Sequence, residues 1–287
     1  MSDNIPVTVL MTAYNCSGYI QTSINSILKQ SYGNFELLII DDGSEDNSEA
    51  IIRSLNSEKI RYVRLKHIGR SAALNYGLKE AKFDWVALMD ADDIAVPARL
   101  EKEVRLINKS SKDIIFSDSV FFKNKKIQFL NMINTEKEDL KRKIELRGHI
   151  CNSSVLYNRN FIMENGGYNE NLDYFVDYEL WVRLLNIGNF VHLNELLIFM
   201  RIRDNSLSKK AAEGPITKIS VFSGMNKPMV EKRLGIIGSI REYLFRKKVK
   251  LKVKYFWWKF WNFKAHRELT RKLEELDQSG TVLHKWR

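Results

Sequence analysis

The sequence contains few of the residues that mark secreted, fibrous or membrane-spanning proteins. Only two cysteines occur in 287 residues, which argues against a disulfide framework and fits a reducing cytosol. The 4 prolines and 14 glycines exclude collagen-like and proline-rich architectures. No run of 18 uncharged apolar residues is present, so we expect no transmembrane helix. Residues 1–15 have no basic leading segment, so we expect no signal peptide.

What is present indicates a globular body with a basic end. Hydrophobic residues make up 44% of the chain and charged residues 28%, which is ordinary for a folded protein. The net charge of +11 is distributed unevenly. Residues 241–287 contain 14 Lys and Arg against 5 Asp and Glu, whereas residues 1–240 are nearly neutral. Two parts with different tasks are therefore expected.

Short apolar runs alternate with helical periodicity over the first hundred residues. Such a strand–helix repeat predicts a doubly wound parallel sheet whose strands are buried on both faces. Ligands bind at the carboxyl edge of these sheets, so the polar residues directly after each strand are the ones to examine. The predicted strands are 7–14, 35–40, 60–65 and 85–89, and the predicted helices are 19–30, 44–55 with Ser44 as its cap, and 71–81.

The later chain is expected to contribute further strands and helices and then the basic end. We predict a main domain at 1–225, with halves at about 1–110 and 111–225, and a basic aromatic helical region at 226–287. The predicted helices are 97–108, 136–146 and 177–186, the strand-like segments 113–122, 148–157 and 190–202, and the polar loop 203–218, with basic helical sequence from residue 230.

Carboxylates follow two of the predicted buried strands. Asp41 and Asp42 come directly after one, and Asp90, Asp92 and Asp93 directly after another. Carboxylates one residue apart can both reach a hard divalent cation, which prefers oxygen ligands. The alternative is that each cluster is only a turn or a helix cap. Their shared position at one sheet edge favours the functional interpretation.

Several short motifs follow one another along the chain. They are VLMTAYN at 9–15, SILKQS at 26–31, ELLIIDDGS at 36–44, GRSAALNYGL at 69–78 and MDADD at 89–93, followed by Pro97, Arg99 and Leu100, and then DYELWVRL at 177–184. The order of these motifs resembles the family 2 glycosyltransferases over roughly residues 5–205, with a weaker match around Asp177. Val176 departs from the family pattern, because it stands where an acidic partner precedes the catalytic aspartate.

The resemblance implies a GT-A fold, with a Rossmann-like nucleotide-binding half, an acceptor half and a helical basic extension. It also implies roles for residues that would hold the donor. Thr12 and Tyr14 would line the base pocket, Tyr14 by stacking. Asp42 would accept the N3–H of uracil or a similar imide. Asp90 would lie near the ribose, and Arg70 near the phosphates or the nucleoside.

The reaction implied by the family is a metal-dependent inverting transfer from a nucleoside diphosphate sugar, with a UDP-sugar favoured. Asp92 would bind Mn²⁺ or Mg²⁺ bridging the diphosphate, with Asp93 beside it, because a divalent ion stabilises the charge that develops on the leaving group. Asp177 would be the base that deprotonates the acceptor hydroxyl. A competing interpretation, based on Val176, is a nucleotide-binding GT-A-like module without transfer activity.

The acceptor region is less well defined by the sequence. His149 and Glu179 are candidates there. The alternatives are that His149 is a structural or surface histidine, and that Glu179 pairs with Arg183 at helical spacing. Trp181 and Cys151 are expected to be core residues.

The basic region at 241–287 interleaves Lys and Arg with Trp, Tyr and Phe. This pattern suits a helix lying on an anionic membrane surface. Packing against the domain and nucleic-acid binding are the alternatives, although no nucleic-acid motif accompanies the charge. Together with this basic region, the family resemblance implies a hexosyl- or N-acetylhexosaminyltransferase that acts on a glycan, such as a lipid-linked one, in cell-surface polysaccharide or lipopolysaccharide assembly. It would act at the inner face of the cell membrane, as a cytoplasmic, peripheral protein.

Overall fold

The structure, a computed structural model, describes residues 4–107, 112–133, 150–204 and 263–278. Within these ranges the chain forms one nine-stranded sheet with helices on its faces. The first half comprises β1 (Val7–Ala13), α1 (Ile20–Leu28), β2 (Phe35–Asp41), α2 (Ser48–Ser54), β3 (Ile60–Arg64), α3 (Arg70–Glu80), β4 (Trp85–Asp90), β5 (Ile94–Ala95) and α4 (Arg99–Ile107). The rest comprises β6 (Ile114–Lys123), β7 (Lys126–Asn131), a 3₁₀ turn (Asn152–Ser154), β8 (Val155–Asn158), α5 (Arg159–Glu164), α6 (Val176–Leu184), β9 (Phe190–Arg201) and α7 (Phe263–Gln278).

The first four strands form the predicted parallel sheet, in the order β3-β2-β1-β4. Their register aligns the carboxyl ends: Ala13 lies opposite Asp41, and Thr12 lies opposite Asp90. The strands β1 and β2 are buried on both faces, as expected. The prediction was wrong for β3, whose residues are only partly buried, because β3 forms the edge of the sheet and has a strand on one side only.

The start of α2 also differs from the prediction. This helix begins at Ser48 rather than Ser44. Ser44 instead belongs to the turn after β2, where its N–H donates to Asp41 Oδ1 at 2.8 Å and its Oγ accepts the N–H of Asn15 at 3.0 Å. The serine hydroxyl is thus used to hold two loops together at the sheet edge and cannot cap the helix.

The second half extends the same sheet with mixed pairing. The strand β8 lies antiparallel between β4 and β6, β9 runs parallel to β6, and the short β5 pairs antiparallel with β9. The strands expected at 113–122 and 190–202 and the helix expected at 177–186 are confirmed, with end points shifted by a few residues. The predicted helix at 136–146 and the basic sequence from residue 230 to 262 lie outside the described residues.

Apolar side chains cover both faces of the sheet. One layer contains Leu10, Leu38, Leu74 and Trp181, and the other contains a separate set around α1 and α4. Helices on both faces of a largely parallel sheet confirm the expected α/β architecture. In the described parts of the chain, no helix has the length and apolarity needed to cross a bilayer.

The helix α7 packs on the domain through leucines on one face. Leu273 is fully buried and Leu276 is almost so, and both belong to an apolar cluster with Ile94 of β5, Val120 of β6 and Phe199 of β9. Over residues 263–278 the packing alternative for the basic region is therefore correct. The more strongly basic and aromatic stretch before this helix lies outside the described residues.

Candidate active site

A cleft of about 710 Å³ opens at the carboxyl ends of β1, β2 and β4. The aligned register of these strands places their following residues at one edge of the sheet. The cleft brings together six of the residues singled out in the sequence. These are Thr12, Tyr14, Asp42, Arg70, Asp90 and Asp92.

Asp42 lies at the inner end of this cleft and is almost fully buried. Its Oδ1 accepts the N–H of Ile68 at 2.7 Å, and its Oδ2 accepts the N–H of Gly69 at 3.0 Å. The ring Nδ1 of His67 lies 2.9 Å from the same Oδ2. The carboxylate is thereby fixed in orientation, and Oδ1, which accepts only the Ile68 N–H among these contacts, retains lone-pair capacity for another donor.

The residue after Asp42 makes this close approach possible. Gly43 has a φ of +77°, and a Cβ placed there would lie 2.8 Å from the backbone nitrogen of His67. Glycine is the residue that adopts a positive φ without strain and permits such backbone contact. The local sequence after β2 therefore sets the position of the loop that holds Asp42.

Tyr14 and His67 stack at the mouth of the cleft. Their ring centroids are 4.2 Å apart and their planes differ by 19°. Tyr14 is 44% exposed, although the strand that precedes it is buried. An exposed aromatic ring at the edge of a nucleotide-sized cleft has an accessible face on which a base can stack. His67 also lines the cleft.

The acidic motif after β4 divides into two parts. Asp90 and Asp92 line the cleft. Asp93 is buried, and its two oxygens accept hydrogen bonds from Ser153 Oγ at 2.5 Å and from the N–H of Arg201 at 2.9 Å. Asp93 therefore ties the motif to the 3₁₀ turn and to β9.

The three aspartates have carboxylate oxygens within 4.8 Å of one another. This donor set fits a hard divalent cation, which takes carboxylate oxygens and leaves positions for phosphate. Asp90 and Asp92 are the members that face the cleft and would hold such an ion. Burial and the neighbouring Asp90 raise the pKa of Asp92, while Arg203 and Arg70 act in the opposite direction. Burial, Asp92 and Asp90 raise the pKa of Asp93 well above its usual value.

Arg70, at the start of α3, connects the acidic motif with the predicted base. Its Nη2 donates to Asp90 Oδ1 at 2.7 Å. The carboxylates of Asp90, Asp177 and Asp92 together raise the pKa of this guanidinium, so it stays charged. A fixed positive charge thus lies among three carboxylates.

Asp177 lies in the first turn of α6 and does not itself line the cleft. Burial raises the pKa of its carboxyl group. Arg70 and the backbone N–H of Tyr178 lower this pKa, and Asp90 raises it. The residue before the helix, Phe175, has a left-handed backbone with φ of 61°. This conformation is uncommon for a bulky residue and fixes the direction in which α6 leaves the loop.

The other candidates on α6 are structural in their contacts. Glu179 pairs with Arg183, with 2.7 Å between Oε1 and Nε, which is the contact that the alternative interpretation of Glu179 expects. Trp181 is buried in the core, as predicted, and Val176 is buried there too.

Two candidates precede this helix in the chain. His149 lies outside the described residues, and Cys151 is a buried thiol with its pKa raised by burial to about 12.

Two arginines at the end of β9 belong to the site and were not found in the sequence. Arg203 lines the cleft, and its Nε lies 2.5 Å from Asp92 Oδ2. Arg201 donates from Nε to the backbone carbonyl of Asp92 at 3.0 Å. Residue 203 begins the segment that the sequence predicts to be a polar loop, and it belongs to no recognised motif. Only the pairing of β9 with β5 brings these arginines to the acidic motif.

The sequence model of glycosyl transferase family 2 matches residues 8–166. The chain belongs to this family. The match covers more than half of the 287 residues and includes both acidic strand ends. The predicted enzyme class, a glycosyltransferase, is confirmed at this level.

Relatives among known sequences support the family assignment. An uncharacterized glycosyltransferase of Rickettsia typhi is 26% identical over 246 residues, which are 83% of this chain and 77% of the relative. The O-antigen biosynthesis glycosyltransferase WbnJ of Escherichia coli is 28% identical, over 71% of this chain and 83% of the relative. Two further rickettsial glycosyltransferases are longer, and the chain spans 35% of their length.

Solved structures confirm the GT-A-type fold. S. aureus TarS 1–349 in complex with UDP-GlcNAc has a TM-score of 0.60 and 17% identity, over 76% of this chain and 64% of that one. The mannosyltransferase PcManGT of Pyrobaculum calidifontis, in complex with GDP-Man and Mn²⁺, has a TM-score of 0.54 and 13% identity, over 96% of this chain and 86% of that one.

Proposed function

We propose that this family 2 member transfers a sugar from a nucleoside diphosphate sugar to a hydroxyl of a glycan, with inversion at the anomeric carbon. The observation that carries the proposal is the cleft that joins an oriented carboxylate, an exposed aromatic ring and a pair of cleft-facing aspartates. These are Asp42, Tyr14, Asp90 and Asp92. Asp177, electrostatically linked to Asp90 through Arg70, adjoins this cleft.

The donor would bind with its base against Tyr14 and with its imide N–H donated to Asp42. An ionised Asp42 accepts hydrogen bonds and cannot donate them, which suits the N3–H of uracil or a similar imide. Thr12 would line the base pocket. TarS, a structural neighbour, is described with UDP-GlcNAc, which supports a UDP-sugar for this chain.

Asp177 would act as the general base. In the proposed step the acceptor oxygen forms a bond to the anomeric carbon while its proton passes to Asp177. The electron pair of the breaking carbon–oxygen bond leaves with the diphosphate. A single displacement of this kind inverts the anomeric configuration, following the logic of inverting glycosidases.

Asp90 and Asp92 would hold Mn²⁺ or Mg²⁺ against the diphosphate. A bound divalent ion supplies neutralisation of the negative charge that develops on the leaving group. Arg70 contributes a permanent positive charge next to Asp90. The Mn²⁺ complex of PcManGT supports a metal in this kind of cleft.

We further propose that the acceptor is a lipid-linked surface glycan assembled at the cytoplasmic face of the membrane. The basic stretch around residues 246–261 would then contact anionic lipid. The relative WbnJ is described as an O-antigen biosynthesis enzyme, which supports cell-surface polysaccharide assembly.

A donor screen tests the function directly. The protein is incubated with Mn²⁺, candidate sugar nucleotides and glycan acceptors, and the released nucleoside diphosphate is measured. Asp177→Asn keeps the side-chain shape but removes the proton acceptor, so transfer should fall by about 10²–10⁴-fold with donor binding retained. The anomeric configuration of the product, determined by NMR, should be inverted. A loss of only a few-fold would show that another residue is the base.

Asp92→Asn tests the metal role. We expect turnover to be abolished and the Mn²⁺-dependent gain in nucleoside diphosphate affinity to disappear, because one metal ligand is lost. Calorimetric titration of UDP with and without Mn²⁺ provides the measurement. Full transfer activity in this variant would remove Asp92 from the metal site.

A non-catalytic nucleotide-binding module is the second candidate, and the observation that favours it is Val176. This buried apolar residue occupies the position of the acidic partner in the family pattern. Under this alternative the wild-type protein would bind UDP or a UDP-sugar with Mn²⁺ but release no nucleoside diphosphate with any acceptor.

A further inference from the structure

Arg203 is the cleft residue whose contacts the proposed function leaves unexplained. Its Nε lies 2.5 Å from Asp92 Oδ2, the carboxylate proposed to hold the divalent ion. The Arg203 side chain is 30% exposed and that of Asp92 14%, and the Nε atom at the contact is buried between them. A guanidinium therefore lies against the carboxylate that would hold the metal.

The neighbouring Arg201 is held in a different way. It donates to the backbone carbonyl of Asp92, and its guanidinium lies 4.9 Å from the Tyr19 ring centroid and 4.6 Å from that of Phe122. None of these contacts uses the Asp92 carboxylate. Arg201 can therefore keep its position when the charge state of the acidic motif changes.

The chain around Arg203 is fixed on both sides. The N–H of Arg201 donates to Asp93, and both oxygens of Asp204 accept from Lys123 Nζ, at 2.7 and 2.8 Å. The Arg203 guanidinium also lies 5.7 Å from the Tyr19 ring centroid, near the outer limit of a cation–π contact. The ion pair with Asp92 is thus the principal interaction holding this side chain, and rotation about its own bonds can release it without moving the strand.

Two cations cannot share one carboxylate oxygen without mutual repulsion, and a nucleoside diphosphate brings the missing negative charge. We propose that Arg203 is an exchangeable cation of the donor site. In the donor-free protein it pairs with Asp92, and when a divalent ion and a nucleoside diphosphate enter, it leaves Asp92 and pairs with the diphosphate. This inference rests on the proposed function, because it assumes that Asp92 and the diphosphate meet at the ion.

The proposal predicts that one substitution raises the affinity for Mn²⁺ and lowers the affinity for UDP. Arg203→Gln removes the competing charge from Asp92, so the affinity for Mn²⁺ alone should rise, on the order of tenfold. The same change removes a charge-assisted contact from the diphosphate, so the affinity for UDP at saturating Mn²⁺ should fall by a similar factor. A purely structural role would move both affinities in the same direction.

The experiment measures binding without turnover, on the full-length chain. Free Mn²⁺ is followed by electron paramagnetic resonance during titration of the protein, and UDP binding at saturating Mn²⁺ is followed by calorimetry. Arg105→Gln is the matched control. It removes the same charge from a pair with Glu101 on α4, where Arg105 is exposed, and it should change neither affinity.

Each outcome bears on the inference. Tighter Mn²⁺ binding with weaker UDP binding in Arg203→Gln supports it. Unchanged Mn²⁺ affinity, relative to Arg105→Gln, overturns the competition at Asp92, and unchanged or tighter UDP binding overturns the transfer to the diphosphate. A wild-type protein that binds neither Mn²⁺ nor UDP overturns the proposed function and this inference with it. Failure of the Arg203 pattern in a protein that binds both overturns the inference alone.

Discussion

The carboxyl group of Asp177 lies where burial opposes its ionisation and one arginine favours it. Burial raises its pKa, and Arg70 is the leading influence that lowers it. A general base works only when deprotonated. Activity should therefore rise with pH through a pKa above the usual aspartate value of about 4 and then level off.

The pH profile of an Arg70→Gln variant tests this arrangement. Loss of the guanidinium removes the largest of the interactions that lower the Asp177 pKa. The rising limb of kcat/KM should therefore shift to higher pH. Weaker donor binding is also expected, but a change in affinity alone would not displace the limb. Arg53→Gln, which removes an exposed charge on α2, should leave the profile in place. An unmoved limb in Arg70→Gln would show that Asp177 is not the titrating base.

Gly43 allows a test of the backbone that holds Asp42. Gly43→Ala introduces a Cβ 2.8 Å from the nitrogen of His67 at a φ of +77°. We expect a loss of about 1–3 kcal/mol in the free energy of unfolding, typical of enforced backbone strain, together with weaker UDP binding. Urea denaturation measures the first effect and calorimetry the second. Gly18→Ala is the control, because no atom lies within 4 Å of its added Cβ. Equal stability of the two variants would contradict this account.

At the scale of secondary-structure elements, α7 is the clearest addition to the expected domain. Leu273 has no exposed surface and packs in a cluster with residues of β5, β6 and β9. Replacing a buried leucine by alanine usually costs about 2–5 kcal/mol. We expect Leu273→Ala to lose stability in this range in a urea titration. The exposed neighbour Glu274 provides the control, and Glu274→Ala should be nearly neutral.

The packing of α7 also changes what truncation should do. The sequence predicts that a chain cut after about residue 230 keeps its catalytic core, because all strands and motifs precede that point. Removal of α7 would, however, expose Ile94, Phe122 and Phe199 to water. We expect a chain ending at residue 262 to unfold at lower temperature than the full-length chain, or to aggregate. A truncated chain with unchanged thermal stability would show that the contact contributes nothing.

At the scale of the whole molecule, the charge asymmetry bears on membrane binding. A full-length variant with six basic residues replaced by serine keeps α7 and removes much of the positive charge. Each Lys or Arg near an anionic surface contributes about 1 kcal/mol, so this variant should lose affinity for anionic vesicles at low salt. The replaced residues are Arg246, Lys247, Lys248, Lys250, Lys252 and Lys254.

Tryptophan fluorescence provides a second measurement of the same prediction. Trp257, Trp258 and Trp261 lie at the end of the basic stretch. Their fluorescence emission is expected to shift to the blue when they leave water for the headgroup layer. The shift should appear with anionic vesicles and weaken as salt rises. Binding to neutral vesicles of equal strength would contradict an electrostatic contact, and no binding of the wild-type chain would favour packing for this stretch too.

The sequence by itself determined the parallel half of the sheet and which residues meet at its edge. Alternating buried strands and helices have a strong periodic signal, and parallel strands place their carboxyl ends together. The sequence alone therefore assigns the residues after β1, β2 and β4 to one cleft. The family motifs between residues 8 and 166, which lie in the region matched by the family model, gave these residues their expected roles.

Only the tertiary structure decided which distant residues complete the site. Asp93 contacts Ser153 because β8, which follows the turn that contains Ser153, pairs with β4. Asp93 contacts Arg201, and Asp92 pairs with Arg203, because β9 returns beside β5 from a distant part of the chain. The packing of α7 on β5, β6 and β9 is likewise seen only in the tertiary structure. Such contacts depend on long-range strand pairing and on which apolar surfaces meet. A periodic pattern in the sequence shows that a helix has an apolar face, but it does not show which surface covers that face. Local patterns therefore determine each element and its edge, whereas tertiary packing decides which side chains face one another across the cleft.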